Sequence, residues 1–174
     1  DYKTKGNFIK WNPSIKTIED QNALWDALIS DKIDVIATDH APHTFNEKNQ
    51  LYVDCPSGGP LVQHSLYIMY EHFLEKRISL EKIVEKMCHN PAILFNIKKR
   101  GFIREGFFAD LVILRKNQSW VINKNNILYK CGWSPFEGKK INSMITHTFV
   151  SGNLAYENGV FNQNIMGKKI EFNS

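Results

Sequence analysis

The sequence predicts an α/β chain: part of a barrel of alternating strands and helices, followed by a smaller all-β module. Three observations predict it. The apolar run from Ile33 to Ala37 suits a strand buried on both faces, and it stops at the polar cluster Thr38-Asp39-His40-Ala41-Pro42-His43. Helical spacing flanks that strand, with Leu24, Ala27 and Leu28 before it and Val62, Leu66, Met69 and Phe73 after it, the alternation from which parallel barrels are built. Near Gly101 the pattern changes to short β-rich runs separated by turn residues.

Taken in order, Phe8-Ile9-Lys10-Trp11-Asn12 reads as a short strand halted by Pro13, because the residue before a proline avoids the helical region. Thr17-Ile18-Glu19-Asp20 has a hydroxyl at the cap and acids in the first turn, so a helix is expected from there to about Ser30. The strand Ile33–Thr38 follows. Residues 43–59 show no sustained periodicity and hold Pro56-Ser57-Gly58-Gly59-Pro60. Directly after the strand, such a loop is expected to serve function. Two helices come next, the second beginning at Ser79, and Asn90-Pro91 is expected to cap and open a third, short one through Phe95. Beyond it, strands are expected at Phe102–Arg104, Leu111–Leu114, Trp120–Ile122 and Ile145–Val150, with hairpin turns at Ser151-Gly152-Asn153 and Asn158-Gly159. The boundary is placed near Arg100, giving residues 1–100 to the barrel and 101–174 to the β module.

Composition bounds the function. A 174-residue chain that is 43% hydrophobic can bury a core, but a complete eight-stranded barrel takes about 250 residues. The net charge of +4 is spread along the chain in short turn-associated clusters such as Lys98-Lys99-Arg100, which are solvated turns and not a nucleic-acid surface. Cys55, Cys88 and Cys131 are odd in number and lack CxxC spacing, so neither a disulfide framework nor a zinc ribbon is expected and a reducing cytoplasm is the expected compartment. No window approaches a membrane span.

In barrels of this kind the strand C-termini carry the chemistry. A carboxylate there, set between imidazoles and a proline, reads as catalytic. Thr38-Asp39-His40-Ala41-Pro42-His43 resembles the signature of the dihydroorotases, metal-dependent cyclic amidohydrolases of pyrimidine synthesis. Asn90-Pro91-Ala92 with Gly106–Leu114, and Ser134-Pro135-Phe136-Glu137-Gly138, resemble the family's exit from the barrel and its tail. The resemblance implies the C-terminal part of a TIM-like (β/α)8 metal-dependent hydrolase barrel followed by part of a small β-sandwich, within a larger enzyme.

Hydrolysis of a cyclic amide needs a polarised carbonyl and an acidified water, which a metal supplies, and a group that moves a proton to the leaving nitrogen. By resemblance Asp39 does the second and is also a metal ligand, with one or two Zn2+ ions expected and most ligands upstream of Asp1. His43 is implied to hydrogen-bond the substrate. Asn12 aligns with a substrate-contacting asparagine, although Ser14 stands where the family carries a second proline. Pro60 and Leu61 fall where the family grips the ring with backbone groups, with Leu61, Gln63 and His64 departing from the usual residues. His40 is assigned a supporting role, since its side chain alternates away from that of Asp39. The implied reaction is reversible hydrolysis of dihydroorotate to N-carbamoyl-aspartate. The implied partners are these small molecules, without nucleic acid or membrane, and a homodimer is the assembly considered. Two alternatives stand beside this: an allantoinase or dihydropyrimidinase, and a non-catalytic scaffold of the same fold.

Overall fold

The cap at Thr17 forms as its residues dictate. In the computed structural model, which describes residues 2–173, the Thr17 hydroxyl accepts from the Asp20 N–H while the Asp20 carboxylate accepts from the Thr17 N–H. This reciprocal box satisfies two donors that a helix start otherwise leaves open. Helix α2 runs Ile18–Ile29 from it, preceded by a short α1, Tyr2–Lys5. The chain divides into two compact units, each assembled from separated stretches.

The first unit comprises Asp1–Lys32, Ala37–Met69 and Trp120–Ile141. Residues Gly6–Ile9 form a 3-10 turn where a strand was expected: no partner strand pairs there among the described residues, and the apolar side chains Phe8 and Ile9 pack as a cluster instead. Ile9 is buried, and the Phe8 ring lies 5.0 Å from both Phe45 and Trp133. The loop after His43 contains one helical turn, α3 (Phe45–Lys48), fixed by a second capping box between Thr44 and Glu47. Buried Cys55, Tyr67, Met69, Ile122, Trp133 and Ile141 belong to this unit's core.

The second unit comprises Ile33–Ile36, Tyr70–Ser119 and Asn142–Ser174. Ser79 caps α5 (Leu80–Val84), which passes through a π turn at Glu85–His89 into α6 (Asn90–Leu94). The short helix expected to open at Asn90-Pro91 is α6, with Pro91 in its first turn, although Asn90 itself is helical and does not stand outside the helix as a cap. Pro91 has no N–H for the ladder, and the wide turn just before it absorbs that loss. The Asn90 amide instead donates to the Asp34 carbonyl at 2.8 Å, and the Ile36 N–H donates to the Lys86 carbonyl at 3.0 Å. Residues 33–36 carry no regular structure and are held by the helical stretch 86–90, not laddered in a sheet. The expected strand Ile33–Thr38 has no flanking strand among the described residues, and without one the ladder that defines a strand cannot form.

Helix α4 spans Ser65–Leu74. The sheet has the order β1-β2-β3-β4: β1 Leu111–Val121, β2 Lys140–Val150, β3 Asn153–Glu157 and β4 Val160–Phe161. The two short strands expected around residue 116 are one continuous strand, and Phe102–Arg104 is not a strand. Both hairpins form where expected, antiparallel, with positive φ at Ser151 and Gly152 and again at Asn158 and Gly159. That pattern matches the right-handed strand twist. Asp110 pairs with Arg100 and accepts from the Ser151 N–H at 2.7 Å, a structural role. No helix among the described residues is long and apolar enough to cross a membrane.

Candidate active site

Asp39 ends the 33–39 segment in a left-handed backbone conformation, φ +44°, with its carboxylate exposed. For an L residue this costs about 1–2 kcal/mol, least for Asp and Asn. Such departures persist where surrounding structure over-determines them, and they cluster at functional sites. Here the over-determination is visible in the residues that follow.

His40 and Gly59 pair as an isolated parallel bridge, and the Ala41 N–H donates to the Gly59 carbonyl at 3.2 Å. The His40 Nδ1 accepts from the Leu61 N–H at 3.0 Å and the Val62 N–H at 3.3 Å. Through these two contacts the His40 ring serves as a brace for the loop. His43 Nε2 donates to the Ser57 carbonyl at 3.0 Å, and the Trp133 indole N–H donates to the His43 carbonyl at 2.8 Å. Gly58 sits at φ +108°, where a Cβ would lie 2.7 Å from Ala41 Cβ; one on Gly59 would lie 2.8 Å from the Trp11 ring. Only glycine permits that approach.

The structure thus brings together three of the expected stretches. Residues 39–43 carry Asp39 and His43. Residues 57–62 carry Pro60 and Leu61, and are docked on the first stretch by His40, Ala41 and His43. Residues 10–12 join them, since the Lys10 carbonyl accepts from the Gly58 N–H at 2.9 Å and the Trp11 ring lies against Gly59. Asn12 follows Trp11 and is exposed. Within the loop, the carbonyls of Pro56 to Gly59 are all occupied. Among the described residues no hydrogen bond occupies the buried Pro60 carbonyl, whereas the Leu61 N–H is already given to His40. The loop therefore leaves the Pro60 carbonyl unpaired among the described residues and presents the half-buried apolar side chain of Leu61.

Lys48, Trp133 and Tyr129 of this neighbourhood were not marked by the sequence, and His64 was noted only as a departure from the family's usual residues. Lys48, 0% exposed, donates to the carbonyls of Pro56, Gly58 and Lys10 at 2.8, 3.0 and 3.4 Å. Burial holds its ammonium below the usual lysine range. Trp133 comes from a distant stretch and closes over His43. The Tyr129 hydroxyl accepts from the Gln63 N–H at 2.9 Å, and burial pushes it up to about 12. His64 is wholly buried; its Nδ1 faces the hydroxyls of Ser134 at 3.2 Å and Tyr129 at 3.4 Å, its Nε2 has no partner, and burial lowers its pKa to about 4. Asn46-Glu47-Lys48-Asn49 reads as a solvated run, so nothing in the sequence flags Lys48.

No group of three His, Cys, Asp or Glu side chains among the described residues could hold a metal ion. Asp39 offers one carboxylate. This chain by itself does not fit a zinc centre, and any such centre would need ligands from beyond it.

The arrangement is an exposed carboxylate at Asp39 beside the docked 57–62 loop. The sequence profile of the Amidohydrolase family matches residues 12–155, and the chain belongs to that family. It is 36% identical over 149 residues to the dihydroorotase of Endomicrobium trichonymphae and 34% identical over 152 residues to that of Clostridioides difficile, covering 85% and 87% of this chain. The chain spans 35% of the length of each of these relatives. Among solved structures, L-hydantoinase (dihydropyrimidinase) from Arthrobacter aurescens superposes with a TM-score of 0.84 at 29% identity, over 92% of this chain and 37% of that one.

Proposed function

We propose that the protein containing this chain is a dihydroorotase-type cyclic amidohydrolase, interconverting dihydroorotate and N-carbamoyl-aspartate in the cytoplasmic synthesis of pyrimidines. The observation that carries the reading is Asp39: an exposed carboxylate on a left-handed backbone, with the 57–62 loop docked beside it. The identity to dihydroorotases along nearly the whole chain supports it. Residues 1–100 would complete a barrel and residues 101–174 would form part of a β-sandwich packed with it. Asp39 would contribute one ligand to a catalytic zinc site.

The chemistry assigned to this chain follows from its groups. Asp39 takes the proton of the attacking water and delivers it to the ring nitrogen as the amide bond breaks, a transfer worth about 10²–10⁴-fold when the carboxylate is positioned. The Pro60 carbonyl accepts a hydrogen bond from a ring N–H. The apolar Leu61 covers the ring. His43 stands at the edge of this cleft and exchanges its Ser57 contact for the ligand.

The second reading, a dihydropyrimidinase-type enzyme, is favoured by the structural likeness to a hydantoinase. Steady-state kcat/KM of the full-length protein on dihydroorotate, allantoin and dihydrouracil separates the two. Preference for dihydroorotate is expected; preference for either neutral ring would transfer the assignment, and no turnover of any would leave the scaffold.

A further inference from the structure

Lys48 is an anomaly that the reaction does not explain. A buried ammonium is costly unless its charge and all of its donors are compensated. Among the described residues no carboxylate lies within ion-pairing distance of Lys48. Its three donors meet three carbonyls instead, those of Pro56, Gly58 and Lys10, and the Trp11 ring lies 5.8 Å away. Lysine carries three N–H groups and no acceptor, so the cage uses all it has.

The positions of those carbonyls give the cage a purpose. The loop they belong to contains Pro56 and Pro60, which cannot donate, and Gly58 and Gly59, which have no side chains, so it cannot fix its own shape. The segment 41–48 fixes it from outside. Lys48 takes the Pro56 and Gly58 carbonyls, His43 takes that of Ser57, and the Ala41 N–H takes that of Gly59. Four consecutive carbonyls are thereby turned toward one segment. His43 and Lys48 stand at opposite ends of α3, whose rotation the Thr44–Glu47 capping box sets. The same ammonium reaches the Lys10 carbonyl, which also receives the Gly58 N–H, and so ties in the stretch that carries Asn12.

We propose that Lys48 is a positioning residue of the substrate loop: its ammonium sets residues 56–60 against the 41–43 turn, and thereby fixes where the Pro60 carbonyl meets a cyclic amide. Lys48 touches no reacting atom. The proposal rests on the cyclic-amidohydrolase reading and on Pro60 as a ligand acceptor. It deepens that reading by explaining why a loop without internal hydrogen bonding holds one shape.

The test compares wild type and Lys48→Met in the full-length, metal-loaded protein, using whichever of dihydroorotate, allantoin or dihydrouracil the wild type turns over. A failed dihydroorotase assignment then leaves the Lys48 comparison intact. Methionine keeps the length and removes the three donors. Displacement of the loop by an ångström should raise KM by about tenfold or more while kcat stays within about threefold, with bound metal unchanged. Lys48→Ala, purified and assayed with n-propylammonium to return the missing amine, covers the case in which the methionine variant does not fold. KM should fall saturably as the amine is added. Unchanged KM in a folded Lys48→Met protein, a loss confined to kcat, or an alanine variant whose KM ignores the amine overturns the proposal.

Discussion

His43 shows how a single side chain can serve two ends. Its Nε2 holds the Ser57 carbonyl, and it stands within four residues of Asp39. His43→Ala in the full-length protein should raise KM with little change in bound metal, because loop order and a substrate contact are lost together. Stoichiometric metal loss on that change would make His43 a ligand instead. His64 makes a different prediction. Its folded pKa of about 4 lies below the unfolded value near 6.5, so the unfolded chain binds the proton first. Stability conferred by neutral His64 is complete above pH 6.5 and is lost as pH falls toward 4, by about 3 kcal/mol at most. Melting temperature should therefore fall more steeply over that window in wild type than in His64→Gln, and parallel pH profiles would contradict it. The sequence singles out Asp39, His43 and Pro60 because type and order mark them (a carboxylate ending an apolar run, an imidazole after a proline, a Gly-Gly-Pro loop), and the structure brings their stretches together. Lys48 and Trp133 are not singled out, because their roles arise from burial and from contacts 8 to 90 residues away, which no local pattern records.

Elements written by local chemistry were read correctly, and those that depend on a partner were not. The Thr17 and Ser79 caps and the Asn158-Gly159 turn need only neighbouring residues, and they form where the sequence places them. A strand needs another strand. Residues 33–36 have strand composition but are held by Asn90 and the Lys86 carbonyl, and Phe8-Ile9 closes a 3-10 turn. The short helix expected to open at Asn90-Pro91 does so, with the proline in its first turn where the missing N–H is tolerated, while the helical path that runs into it through a π turn at Glu85–His89 leaves no local mark in the sequence. Just past that path lies Gly101, at φ +81°, where a Cβ would come 2.4 Å from Ala92 Cβ and 2.7 Å from the Cys88 carbonyl oxygen. Gly101→Ala should destabilise the full-length protein by about 2–4 kcal/mol, through left-handed strain and overpacking together. Denaturant unfolding reads this directly, and a loss under about 0.5 kcal/mol, the size of an ordinary surface change, would mean that the close approach is not real.

At the scale of the molecule, the fold class was legible in outline, as an amidohydrolase portion carrying a small antiparallel sheet. The sequence places one boundary near Arg100; long-range packing groups residues 120–141 with residues 1–32 and 37–69, a return of the chain that no local pattern records. Residues 1–174 expressed alone should neither hydrolyse dihydroorotate nor bind zinc tightly, because one carboxylate is too few where such sites use three or four ligands. Exposed apolar side chains such as Leu24, Val53 and Ile103 should favour association of the isolated chain, read by its size-exclusion profile. Hydrolysis by the isolated chain in added zinc would overturn that view of the site. The central claim rests on Asp39 as the group that moves the proton, and the most direct measurement is kcat for dihydroorotate in full-length Asp39→Asn, with folding verified by circular dichroism. The amide cannot carry the proton, so turnover should fall by about 10²–10⁴-fold with the fold intact. A folded Asp39→Asn protein that keeps within about tenfold of wild-type turnover, less than such a group contributes, would contradict the account.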